Sequence, residues 1–78
     1  MPILKRQLRR PDWAERLYAS RVMSGQTQAG IAAQIGISQP RYANYEAGTR
    51  EPDFATLCKI SDVLAVSIDF ILKGSNIR

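Results

Sequence analysis

An all-α domain of five short helices is the fold class this sequence predicts, and three observations carry the prediction. Chain breakers recur at regular intervals: Gly25, Gly36, Gly48 and Gly74, with Pro11, Pro40 and Pro52. A residue able to cap a helix start stands before or at the head of each segment between them: Asp12, Thr27, Ser38, Asp53 and Ser67. Within the segments apolar residues return every three or four positions, whereas the one β-branched alternation, AVSI, is only four residues long.

The first helix is expected to start at Asp12, with Glu15 three residues on completing a capping box. Trp13 and Leu17 stand at i and i+4, Val22 lies further along, and Gly25 supplies a left-handed C-cap. The second follows Thr27 and carries Ile31, Ala32 and Ile35 up to Gly36. The third spans Gln39 to Ala47 behind Ser38, and Pro40 falls in its first turn, where a missing N–H costs little. The fourth follows Asp53 with a stripe of Phe54, Leu57, Ile60, Ser61 and Leu64. Cys58 lies in the same run and is expected to pack as a small hydrophobe. The fifth carries Ile68, Phe70, Ile71 and Leu72 behind Ser67. Stripes at this spacing are core and are assigned no function.

Seventy-eight residues allow one domain, read here as 11–74, with a basic arm at 1–10 and a short tail at 75–78. An apolar share of 45% without long polar runs excludes a disordered chain. No apolar stretch approaches the roughly 20 residues that cross a bilayer. MPILKRQLRR has no hydrophobic block after its charges and is no secretory signal, so a cytoplasmic protein without membrane contact is expected. Histidine is absent and cysteine occurs once, which removes His/Cys metal sets, an internal disulfide and the Ser-His and Cys-His nucleophile pairs. With no glycine-rich phosphate loop and no paired carboxylates in an apolar setting, neither an enzyme nor a cofactor is expected. Four of the eleven cations, Lys5, Arg6, Arg9 and Arg10, fall in the first ten residues, and the remaining seven equal the seven acids. That segment reads either as a solvated tail or as an arm that meets phosphate.

At about 100° per residue, Tyr42 and Tyr45 of the third helix face one way, flanked by Arg41 and Glu46. Pro40, Ala43, Asn44 and Ala47 face the other, with Gln39 at the edge. An ordinary solvated face carries Lys and Glu; this one carries amides and small apolar groups. Gln and Asn can hydrogen-bond adenine in a bidentate manner, and small apolar side chains fit beside thymine methyls in a major groove. The break at Gly36-Ile37-Ser38 suits the short turn of a helix-turn-helix. Spacing alone leaves a helical hairpin within an unrelated bundle open.

From Arg16 to Gly74 the chain resembles the DNA-binding domain of the phage Cro and lambda-repressor (XRE) superfamily. The resemblance rests on RLYASR, TQAGIAAQIGISQ, YANYEAGTREP and LCKISDVLAVSIDFIL, all in register. It implies that Gln39, Pro40, Ala43 and Asn44 occupy base-reading positions. Gln28 matches a glutamine that bonds phosphate and braces the reading helix, and Arg50 matches a loop that touches the backbone. Arg41, set to the side, is within reach of phosphate. Arg21 and Glu46 match a largely buried ion pair between the first and third helices. The basic arm, with Lys5, Arg6, Arg9 and Arg10, is an analogue of arms that wrap DNA in some members. Three positions depart from the pattern: Gln26 where leucine is usual, leaving a core position polar; Gly30 inside a helix; and Pro40 in place of a hydrogen-bonding residue.

The resemblance implies double-stranded DNA as partner, a palindromic operator and a homodimer. Four large apolar residues in the five positions 68–72 exceed what one buried face needs, so Ile68 with Ile71 or Leu72 are candidate interface residues; the alternative is that all pack inward. The expected function is a small Cro-type transcriptional repressor. The alternatives are a protein-interaction module of the same fold, such as an antitoxin or adaptor, and a controller protein of a restriction–modification locus. The amide-rich face hints at A·T pairs in the half-site.

Overall fold

The computed structural model describes residues 10–74. Five helices fill them: α1 (Asp12–Ser24), α2 (Gln28–Ile35), α3 (Gln39–Ala47), α4 (Phe54–Leu64) and α5 (Ile68–Lys73), with no strand among the described residues. Lys5, Arg6, Arg9 and the tail 75–78 lie outside them. α1 packs against α3, α4 and α5, while α2 packs against α3 and α4, so the helix pair α2–α3 leans on a support built from the other three.

Caps form where short polar side chains precede the helices. Thr27, Ser38, Asp53 and Ser67 accept from the N–H groups of Gly30, Arg41, Thr56 and Phe70 at 2.9, 3.2, 2.8 and 2.9 Å. Each of these bonds satisfies one of the donors a helix start leaves unpaired. Thr56, through its side-chain hydroxyl and then its N–H, also holds the Asp53 carboxyl below its ordinary range. α1 departs from its expected start. Pro11 takes the cap position without a side-chain bond, and its carbonyl accepts from the N–H groups of Ala14 and Glu15, both at 3.0 Å. Asp12 is therefore the first helical residue, and Glu15 pairs with Arg10 instead of closing a capping box.

One core joins Leu17, Ile31, Ala32, Ile35, Tyr42, Tyr45, Ile60 and Leu64, with Ile37, Val63 and Val66 packed against it. Burial of each large aliphatic side chain contributes about 1.5–3 kcal/mol. Tyr42 and Tyr45 meet edge to face, ring centres 6.2 Å apart. Four expectations for the core fail. Val22 is exposed near the end of α1, beyond the packed part of that helix. Phe54, at the very start of α4, is 88% exposed: the α4 stripe that enters the core is Leu57, Ile60 and Leu64. Cys58, one position past Leu57, is rotated outward and exposed. Ser61 is half-buried and places its hydroxyl 2.6 Å from the Val66 carbonyl, which satisfies it without a core contact.

The departures from the family pattern also find local explanations. Gln26 is half-buried and its amide oxygen accepts from Gln34. Gly30 is the third residue of α2 and not its middle; a Cβ there would lie 3.1 Å from the capping Thr27 hydroxyl.

Candidate nucleic-acid interface

The turn between α2 and α3 is fixed by backbone geometry. Gly36 adopts φ +82°, a left-handed conformation that glycine enters without steric cost, and the Ile37 N–H reaches back to the Ala32 carbonyl at 3.0 Å. This turns the chain within two residues, and Ser38 then caps α3.

α3 divides as its sequence predicts. Tyr42, Tyr45 and Glu46 are buried, whereas Gln39, Pro40, Asn44 and Ala47 are exposed and Ala43 is half-buried. Arg41 is exposed but tethered, its Nε donating to the Tyr45 hydroxyl at 2.9 Å. Thr49 folds back on Asn44, its hydroxyl 3.2 Å from Oδ1 and its N–H 3.0 Å from the Asn44 carbonyl. Arg50 is exposed in the loop that follows.

Beneath this face lies a continuous polar network. Glu46 is only 1% exposed and accepts from Arg21 through Nε at 2.6 Å and Nη2 at 3.1 Å. Gln28 donates to the same carboxylate at 3.0 Å, and its own carbonyl oxygen accepts from Gln39 Nε2 at 2.8 Å. A buried charge in α3 is thus linked through the first residue of α2 to the first residue of α3. Burial pushes the Glu46 carboxyl up, but hydrogen bonds from Arg21 and Gln28 outweigh it and hold the group below the usual carboxylate range. Tyr42 adds to this electrostatically: its buried hydroxyl lies near the carboxylate yet stops short of hydrogen-bond geometry, and burial raises its own pKa. The Arg21 guanidinium, bonded to Glu46, stays protonated.

Of the arm residues only Arg10 is described, and it does not extend into solvent. Its Nε donates to the Glu46 carbonyl at 2.7 Å, its Nη1 meets Glu15 at 3.2 Å, and its guanidinium carbon lies 4.2 Å from the Tyr18 ring centre. Arg10 therefore packs against the helices that follow it. Among the candidate interface residues, Ile71 differs from its neighbours. It is 0% exposed in the core of its own chain, while Leu72 is 49% exposed and Ile68 is half-buried. Two arginine contacts were invisible to local spacing: that of Arg10, and that of Arg16, which binds the carbonyls of Ile71 and Leu72 at 2.9 and 3.0 Å and so caps α5. Among the described residues no group of three or more His, Cys, Asp or Glu could hold a metal ion. No helix there is long and apolar enough to cross a membrane.

A tight turn joining two helices, with the outer face of the second held from below by a buried ion pair, defines a helix-turn-helix domain. The chain belongs to the helix-turn-helix family, whose pattern it matches over residues 17–71. It is similar to the HTH-type transcriptional regulator YqaE of Bacillus subtilis, with 44% identity over 64 residues. That match covers 82% of this chain and 55% of the relative. It is also similar to the phage CTXphi transcriptional repressor RstR of Vibrio cholerae, 46% identical over 55 residues, covering 70% of this chain and 49% of that one. This chain therefore spans about half the length of these relatives. Among solved structures it resembles the P22 c2 repressor in complex with a synthetic operator. The TM-score is 0.78 and the identity 29%, over 83% of this chain and 98% of that one.

Proposed function

We propose that this chain is a sequence-specific DNA-binding transcriptional regulator, of repressor type, that lays α3 in the major groove. The observation that carries the reading is the exposed face of Gln39, Pro40, Asn44 and Ala47, which lacks Lys and Glu and is held by the Arg21–Glu46–Gln28–Gln39 network. Side chains fixed before binding lose little conformational entropy on docking, and that favours discrimination between bases. Gln39 and Asn44 supply amide hydrogen bonds to base edges, with Pro40 and Ala43 in contact beside them. Gln28, at a helix start where unpaired N–H groups favour an anion, meets phosphate. Arg41, Arg50, Lys5, Arg6 and Arg9 add backbone contacts.

A homodimer on a palindromic operator completes the reading, since such domains take half-sites about one helical turn apart. Its contact is assigned to the apolar groove of about 220 Å³ that Trp13, Phe54, Leu57 and Leu72 line, with exposed Phe54 and Leu72 as the groups a second copy would cover. No chemistry is required of such a protein, and its place of work is the cytoplasm.

The test is selection of bound duplexes from a random pool at about 150 mM salt, with the Gln39→Ala/Asn44→Ala variant beside the wild type. A palindromic consensus that the variant loses is expected. No enrichment from a folded protein would replace this reading with that of a protein-interaction module.

A further inference from the structure

Arg10 makes a set of contacts that DNA reading by α3 does not itself require. Its Nε donates to the Glu46 carbonyl, its Nη1 meets Glu15, and its flat face lies over Tyr18. The next residue touches the same place. A Cβ on Gly48 would lie 2.3 Å from Pro11 Cδ, and Gly48, at φ +81°, is the residue that ends α3. Residues 10 and 11 therefore grip the last turn of the reading helix at two adjacent points. The Glu46 carbonyl is one of those a helix C-terminus leaves without an intrahelical partner, and a cation there is favoured by the helix dipole as well. Two donors and a planar face are used at once, a combination that a lysine ammonium cannot reproduce.

We infer that Arg10 is a positioning residue for DNA reading, clamping the last turn of α3 so that the Asn44 end of the reading face keeps its place. This rests on the function proposed above. The beginning of α3 is already secured by the Gly36 turn, the Ser38 cap and the Gln28–Gln39 bond. At its end Arg21 and Gln28 hold the Glu46 side chain from below, while the last-turn backbone is held by the Gly48 and Thr49 N–H bonds and by Arg10 on the Glu46 carbonyl, and short helices fray at their ends. Asn44 accepts from Thr49 in that same turn. When the turn opens, the competent fraction falls and the apparent affinity falls in proportion. The basic run in which Arg10 stands suggests the competing role of a phosphate contact, and the two roles differ in salt dependence. A phosphate contact contributes about 0.9 to the slope of log affinity against log salt, whereas a positioning residue lowers affinity equally at every salt concentration.

The experiment uses the full chain and its selected operator duplex. Affinity is titrated across salt for wild type, Arg10→Lys, Arg10→Gln and Glu15→Gln at a temperature where circular dichroism shows each folded. Amide exchange at Gly48 and Thr49 is followed in the free proteins. Both Arg10 variants are expected to bind about tenfold or more weakly, the size of a lost charge-assisted hydrogen bond. Their salt slope stays at the wild-type value and exchange at Gly48 and Thr49 accelerates, while Glu15→Gln stays near wild type. Should Arg10→Gln not fold, Arg10→Lys and the exchange rates decide. Wild-type affinity in Arg10→Lys together with a slope lower by about 0.9 in Arg10→Gln would assign a phosphate contact and overturn the inference. Wild-type binding in both Arg10 variants would overturn it alone, whereas failure of the wild type to enrich any duplex would overturn the function on which it rests.

Discussion

At Glu46 three partners converge: Arg21 and Gln28 on the carboxylate, and Arg10 on the backbone carbonyl. Truncating the side chain strands the Arg21 charge, so Glu46→Ala should cost about 3–5 kcal/mol in a denaturant titration. In a double-mutant cycle with Arg21, a coupling below about 0.5 kcal/mol would remove the pair from its structural role. The same residue sets an acid limit. Its carboxyl is held below the ordinary 4.5, so the stability it contributes is present above that value and is lost as pH falls through the folded-state pKa. Tyr42 sets the opposite limit. Its pKa is raised from 10.0, so its contribution is complete below pH 10.0 and is lost as the pH climbs beyond it. Melting temperature against pH should therefore form a plateau between these limits, and in Glu46→Gln the acid edge should flatten.

Each helix start except that of α1 bears a side-chain cap, and each helix end carries a left-handed residue. The exception in chemistry is at the end of α4, where Ala65 and not glycine adopts φ 58°. That conformation costs an L-residue about 1 kcal/mol, so Ala65→Gly should raise stability by up to that amount in thermal melts, less the entropy glycine adds to the unfolded chain. The bounds of α3, its two faces and four of the caps were legible in the sequence because they depend on residues within one or two turns of each other. Asp12 misled because Pro11, with its fixed φ, can start a helix without a side-chain cap. Phe54 misled because a regular apolar spacing does not tell how far along a helix the core extends, and Cys58 because it sits one position off the buried stripe of Leu57, Ile60 and Leu64. Arg10 and Arg16 carried no local signal at all, since their carbonyl partners lie 36 and 55 or 56 residues away. Within the candidate site, the exposed face could be read from helical period, but the Gln28 link to Gln39 needed both helices in place.

The described residues form a helix-turn-helix pair, α2–α3, backed by α1, α4 and α5. The proposed homodimer places Phe54, 88% exposed, against a second copy. In sedimentation, Phe54→Asp should then shift the wild-type dimer to a monomer with its melting temperature unchanged, whereas a wild type already monomeric on the operator would discard that surface. Arg16 has a different kind of consequence. Its bonds to Ile71 and Leu72 tie the first helix to the last, and α5 has only six residues, too few to be stable before it docks. Translation delivers the N-terminal elements first, so α3 emerges from the ribosome well before its support can close. At ordinary elongation rates this interval lasts on the order of a second or more. A growing polypeptide thus carries α3 without a finished scaffold, and under the proposed function competence for DNA arrives only after Leu72 has left the ribosome.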